Sequence, residues 1–179
     1  MSIQQLMSDR PELLPALTLA YIGDGVYELQ VRKHLLRLGI YKVDDLHKRA
    51  ISLVCANTQA RLAAAIQEQL TPFEVSIMHR GRNAKGQHNP KGASVATYHL
   101  STGLETLIGY WYLAGAEERL VWFFQRLWQY EEENQARLNQ ESQRLTLEEE
   151  EQLSIDLEEE FRAELADLLQ EQLAAVQKK

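Results

Sequence analysis

Apolar residues recur along this chain at helical spacing, and no run alternates convincingly as a strand. Leu17, Tyr21, Asp24, Tyr27 or Glu28, Val31, Leu35 and Leu38 lie three or four positions apart, which places them on one helical face. Pro15 suits the first turn and Gly39 a stop, so the pattern predicts a long helix over roughly residues 13–38. Asp44 or Asp45 can cap a second helix with Leu46, Ala50, Leu53 and Val54 inward. Asn57 can break and recap the chain before a third, whose apolar side holds Leu62, Ala65, Ile66 and Leu70. Thr71-Pro72-Phe73-Glu74 combines a capping box with proline at the first helical position. It starts a short fourth helix that stops near Gly81. The chain turns helical again from Ser94, with Leu104, Leu107, Ile108, Trp111 and Tyr112 on one face. A further helix begins near Glu117, with Leu120, Phe123, Phe124, Leu127 and Trp128 inward. Together these elements predict an all-α fold.

The last part of the chain has a different character. From Glu131 onward it is rich in Glu, Gln and Leu and has no glycine, proline or cysteine. Leu153, Leu157, Phe161, Leu165, Leu168 and Leu173 form an apolar stripe at helical spacing, and Thr146 with Glu149 fits a capping box. The stripe predicts one or two helices that pack on the body or pair with another chain. Residues 1–130 are therefore read as one domain and 131–179 as an acidic helical extension.

Charge sharpens this division. The 179 residues carry a net charge of −7, but residues 1–130 hold 14 Lys/Arg against 11 Asp/Glu, and residues 131–179 hold 5 against 15. The acidity belongs to the tail, and a mildly basic body permits an anionic partner. Hydrophobic residues make up 45% of the chain, as in a globular protein with a real core. A lone cysteine, Cys55, excludes an intrachain disulfide and reads as a small core residue of a protein in a reducing compartment. No apolar run reaches membrane-spanning length, and residues 1–15 lack the layout of a signal peptide, so a cytoplasmic location without membrane association is expected.

Two carboxylates interrupt apolar helical faces. Asp24 lies between Gly23 and Gly25, and each mid-helix glycine costs about 1 kcal/mol relative to alanine. That cost is understandable where another backbone or a ligand must come close; a glycine-assisted helix crossing with a satisfied aspartate and a ligand site are both open on pattern alone. Glu105 has its own bland reading, a capping box with Thr102. Within about 4–5 Å, two ionised carboxylates repel by roughly 3–4 kcal/mol at an effective dielectric of about 20, and a divalent cation removes that repulsion. An oxygen-only site with few protein ligands suits Mg²⁺. Between the fourth and fifth helices, residues 80–93 (RGRNAKGQHNPKGA) carry Arg80, Arg82, Lys85 and Lys91 without one acid. This basic, glycine-rich loop reads either as a phosphate contact or as a solvated flexible segment. It is not a P-loop, and neither zinc spacing nor a nucleophile elbow is present.

The motifs together carry a resemblance. LAYIGDGVYELQVRKHLL resembles the signature helix of the ribonuclease III catalytic domain, and RGRNAKG with NPKGASVATYHLSTGLETLIGYWYL resembles the basic loop and second acidic helix of its Mini branch, Mini-ribonuclease III. The resemblance spans roughly residues 12–128. It implies a helical-bundle endonuclease fold acting as a homodimer, which cuts double-stranded RNA with Mg²⁺ (Mn²⁺ as a substitute) to leave 5′-phosphate and 3′-hydroxyl ends. It gives Asp24 and Glu105 the catalytic, metal-holding positions. Arg80, Arg82, Asn83, Lys85 and Lys91 become the expected RNA contacts. The wider family has two further carboxylates where this chain has Ala20 and Thr102, and no double-stranded-RNA-binding domain follows. The Mini branch implies precursor 23S ribosomal RNA as substrate, with a ribosomal protein or ribosome assembly intermediate as a further partner. Two other functions compete: a non-catalytic dimeric module that holds structured RNA, and a helical interaction protein acting through its acidic tail.

Overall fold

The computed structural model describes residues 9–84 and 94–176. Every regular element among them is helical, as the periodicity predicts. A 3-10 turn at Pro11–Leu13 leads into α1 (Ala16–Arg37), followed by α2 (Val43–Val54) and α3 (Ala56–Ile66). A second 3-10 turn, Gln67–Gln69, precedes α4 (Pro72–Arg82), α5 (Val95–Leu113) and α6 (Glu117–Val176). The chain divides after Tyr130 into two compact units; α6 begins in the first and continues in the second. Among the described residues no helix is long and apolar enough to cross a membrane.

The core of the first unit forms around α5. Ser101–Leu104 and Thr106–Gly109 are all buried, as is Trp111. A helix closed to water on nearly every side needs neighbours all round. Tyr27, Val31 and Leu35 of α1, Leu62, Ala63 and Ile66 of α3, and Ile77 and Met78 of α4 supply them, joined by Phe123, Phe124 and Leu127. On the α1 side the two helices touch backbone to backbone. A Cβ on Gly23 would lie 1.8 Å from the carbonyl oxygen of Glu105, and one on Gly109 would lie 2.0 Å from that of Leu19. Neither position has room for any side chain. The crossing reading of Gly23 therefore holds.

A buried carboxylate ties α4, α5 and α6 together. Glu74 completes the capping box predicted for α4: the Thr71 amide donates to its Oε2 at 2.8 Å, and its own amide donates to Thr71 Oγ1 at 3.3 Å. Trp111 Nε1 donates to Glu74 Oε1 at 2.8 Å, and Arg119 donates through Nε and Nη2 at 2.7 and 3.0 Å. The guanidinium of Arg119 also lies over the Trp122 ring, 4.3 Å from its centroid. Burial would raise the Glu74 pKa, but the donors on the carboxylate outweigh it and hold it below the usual value.

Several local expectations change. The buried face of α1 is Leu19, Ala20, Gly23, Tyr27, Val31 and Leu35, whereas Leu17 is 43% and Tyr21 81% exposed. Turning Gly23 into α5 rotates Leu17 and Tyr21 outward. Pro15 precedes α1 as its N-cap, and Gly39, with φ of 80°, supplies the expected stop. The break before α3 falls at Cys55, not Asn57; Cys55 is half-buried, and Thr58 Oγ1 closes the turn by donating to the Ser52 carbonyl at 2.7 Å. Thr146 caps nothing. It lies inside α6, where its hydroxyl donates to the Ser142 carbonyl at 3.0 Å.

Replacing Gly109 with alanine should destabilise the protein by about 1–3 kcal/mol, the usual cost of overpacking, because a main-chain carbonyl has no rotamer with which to yield. Urea unfolding of Gly109→Ala against wild type measures this.

Candidate active site

The helix crossing that excludes side chains also brings two acids together. Asp24 follows Gly23 directly, and Glu105 is the residue whose carbonyl Gly23 touches. Glu105 is not a capping residue. Helix α5 begins ten positions earlier, where Ser94 Oγ accepts from the Thr97 amide at 3.1 Å. Thr102, the other half of the capping box considered from sequence, donates its hydroxyl to the Tyr98 carbonyl at 3.0 Å. Glu105 is a half-buried carboxylate in mid-helix, with no cap to make.

The environment opposes its charge. Burial first, and then the neighbouring charge of Asp24, push Glu105 up to about 7. Asp24 is an exposed residue, but enough protein surrounds its carboxylate to remove part of its hydration. That loss and the nearby Glu28 raise its pKa, while Arg32 lowers it. Glu28 is itself paired with Arg32 at 2.6 Å. Tyr27 is fully buried beside the pair; its hydroxyl donates to the Leu53 carbonyl at 2.9 Å, and burial raises its pKa, with Cys55, Tyr130 and Glu105 adding to the shift. A third polar group meets the site from α3. Gln59 is 2% exposed and lies against Glu105, whose charged form it favours. Its Nε2 is buried without a hydrogen bond of ordinary geometry.

This donor set fits a divalent cation. Two repelling carboxylates, one with its charge suppressed and one open to solvent, are stabilised together by a dication. Among the described residues no group of three or more His, Cys, Asp or Glu could hold a metal. A pair leaves most coordination positions to water and substrate, which suits Mg²⁺. Ala20 and Thr102 are both buried, so neither place offers a further oxygen ligand at the surface.

The expected RNA contacts separate. The guanidinium of Arg80 donates to the main-chain oxygens of Glu12 and Leu14, the latter at 2.6 Å, and so fastens the turn that leads into α1. Arg82 and Asn83, at the end of α4, are exposed and line a cavity of about 290 Å³ with Ala96, His99 and Leu100. Lys85 and Lys91 lie outside the described residues.

The ribonuclease III domain family matches residues 17–116, a span that holds both acids and the helix crossing. The chain belongs to the ribonuclease III family. Its curated relatives place it in the Mini branch. It is 53% identical over 115 residues to the Mini-ribonuclease 3 of Desulfitobacterium hafniense, covering 64% of this chain and 73% of that one. It is 50% identical over 110 residues to that of Symbiobacterium thermophilum, covering 62% and 85%. The crystal structure of a protein from Fusobacterium nucleatum superposes with a TM-score of 0.60 at 30% identity, over 63% of this chain and 91% of that one. As a ribonuclease III family member the protein is an endoribonuclease, and the second unit lies outside the matched span.

Sequence reasoning did not single out Gln59. Its one signal is a polar residue on the side of α3 that also carries Leu62, Ala63 and Ile66.

Glu105 also sets a pH dependence. In the unfolded chain its carboxyl ionises near the ordinary value of 4.5, but in the metal-free fold only near 7. Between these values the folded state binds the extra proton, so this residue's contribution to stability falls as pH rises. The Glu105→Gln variant should lose that fall. The stability difference between it and wild type, from urea unfolding in EDTA, should favour the variant by on the order of 2 kcal/mol more at pH 8 than at pH 4.5.

Proposed function

We propose that this protein is a Mg²⁺-dependent endoribonuclease that cuts double-stranded RNA as a homodimer in the cytoplasm. The pairing of Asp24 with Glu105 across the α1–α5 crossing carries this reading. Residues 1–130 form the catalytic domain and 131–179 an accessory helical extension. Asp24 and Glu105 would hold Mg²⁺, with Mn²⁺ as a substitute. When bound, the cation acidifies a water and neutralises charge on the phosphodiester. Exposed Asp24 would hold the cation from the solvent side, and half-buried Glu105 from the inner side of the site. Arg82, Asn83, Lys85 and Lys91 contact the RNA backbone; Arg80 is occupied with the chain's own carbonyls and is left out.

The unused face of α1 supports the dimer. Leu17, Tyr21, Leu29 and Leu36 are exposed on it, and Gly25 among them has nothing within 4 Å of a built Cβ. Such a face on a folded domain marks an interface. Because Asp24 is on the same helix, joining two copies there brings two acid pairs to one RNA duplex, one for each strand. The substrate in this reading is a double-stranded stem of precursor 23S ribosomal RNA, with a ribosomal protein or a ribosome assembly intermediate as a further partner.

Asp24→Asn should fold as wild type by circular dichroism yet cut a duplex RNA at least about a hundredfold more slowly in Mg²⁺, more than is typical for groups behind a ligand. Cleavage at the wild-type rate would refute the assignment. Tyr21→Asp should convert a dimer into a monomer of unchanged helicity, read as mass by light scattering.

A further inference from the structure

Gln59 lies against Glu105 and has no part in the reaction as proposed above. It is 2% exposed on α3, its side chain lies against Glu105, and its Nε2 is buried without a partner. A buried amide without an acceptor destabilises a fold, and a leucine would fill similar space without that penalty. The acceptor it faces is the Glu105 carboxylate.

The other polar side chains nearby are committed. Tyr27 donates to the Leu53 carbonyl at 2.9 Å, Thr102 to that of Tyr98 at 3.0 Å, and Thr106 to that of Thr102 at 2.7 Å. Of the groups that act on the Glu105 carboxylate, Gln59 is the one that favours its charged form. Its chemistry suits the task. A lysine would compete with the cation, and a further acid would add to the repulsion between Asp24 and Glu105. A neutral N–H donor can hold one carboxylate oxygen and leave the other for a metal.

We propose that Gln59 is a positioning residue for the metal-loaded site: its Nε2–H donates to Glu105 and holds that carboxylate turned toward Asp24. The inference rests on Asp24 and Glu105 holding the cation. In a site with Ala20 and Thr102 where carboxylates could stand, a fixed orientation of Glu105 carries more of the metal affinity.

The test is Mn²⁺ binding to the full chain without RNA, followed by electron paramagnetic resonance, in wild type, Gln59→Leu, Gln59→Met, Asp24→Asn and Glu105→Gln. Gln59→Leu should melt at or above the wild-type temperature in EDTA and bind Mn²⁺ about ten- to a hundredfold more weakly. Its RNA cleavage should return to within a few-fold of wild type at saturating metal. Gln59→Met serves the same measurement should the leucine variant not fold. Wild-type Mn²⁺ affinity in the Gln59 variants, with weakened binding in Asp24→Asn and Glu105→Gln, overturns the role of Gln59 alone. A lower melting temperature in EDTA with unchanged Mn²⁺ affinity would make Gln59 merely structural and overturns it too. Unchanged binding in Asp24→Asn and Glu105→Gln, or no binding by wild type, overturns the metal assignment beneath it.

Discussion

Where α1 crosses α5, main chain meets main chain: the places of a Cβ on Gly23 and on Gly109 are filled by carbonyl oxygens of the opposite helix. The buried face of α1 turns to make that contact, which sends Tyr21 and Leu17 outward and leaves an apolar face uncovered on the other side. The same contact fixes the next residue, Asp24, beside Glu105. Core packing, the acid pair and the proposed dimer face are thus three consequences of one close approach.

Two glutamates show how far surroundings decide chemistry. Glu74 is buried among donors from Thr71, Trp111 and Arg119, and its pKa is held down. Glu105 is half-buried beside an acid, with one amide near it, and its pKa rises to about 7. The first carboxylate links three helices and stabilises the fold. The second opposes the fold when charged, because it loses hydration and faces the charge of Asp24. Local destabilisation of this kind is common at sites built for a ligand, where polar groups are arranged for a bound state.

The charge distribution fits the same division of work. The body is mildly basic and carries the acid pair, whereas the excess of carboxylates lies beyond Tyr130. Arg80 has a structural use of its own, since it fastens the turn that leads into α1. An arginine has enough donors to bind main-chain oxygens as readily as phosphate, so composition alone does not separate the two uses.

The sequence by itself determined the helical class, the capping box at Thr71 and Glu74, and the stop at Gly39. Each depends on residues a few positions apart, where spacing and dihedral preference act directly. It also marked Asp24 and Glu105 as odd acids on apolar faces. Only the tertiary structure decided that they meet, because 81 positions separate them and nothing local encodes the crossing. The same holds for the rotation of α1, which follows the glycine contact and not the number of large apolar residues on a face. Thr102 with Glu105 and Thr146 with Glu149 matched a cap motif, yet both fell inside helices whose ends lie elsewhere. Gln59 was illegible, since a glutamine on a helix acquires meaning only from the half-buried carboxylate it faces.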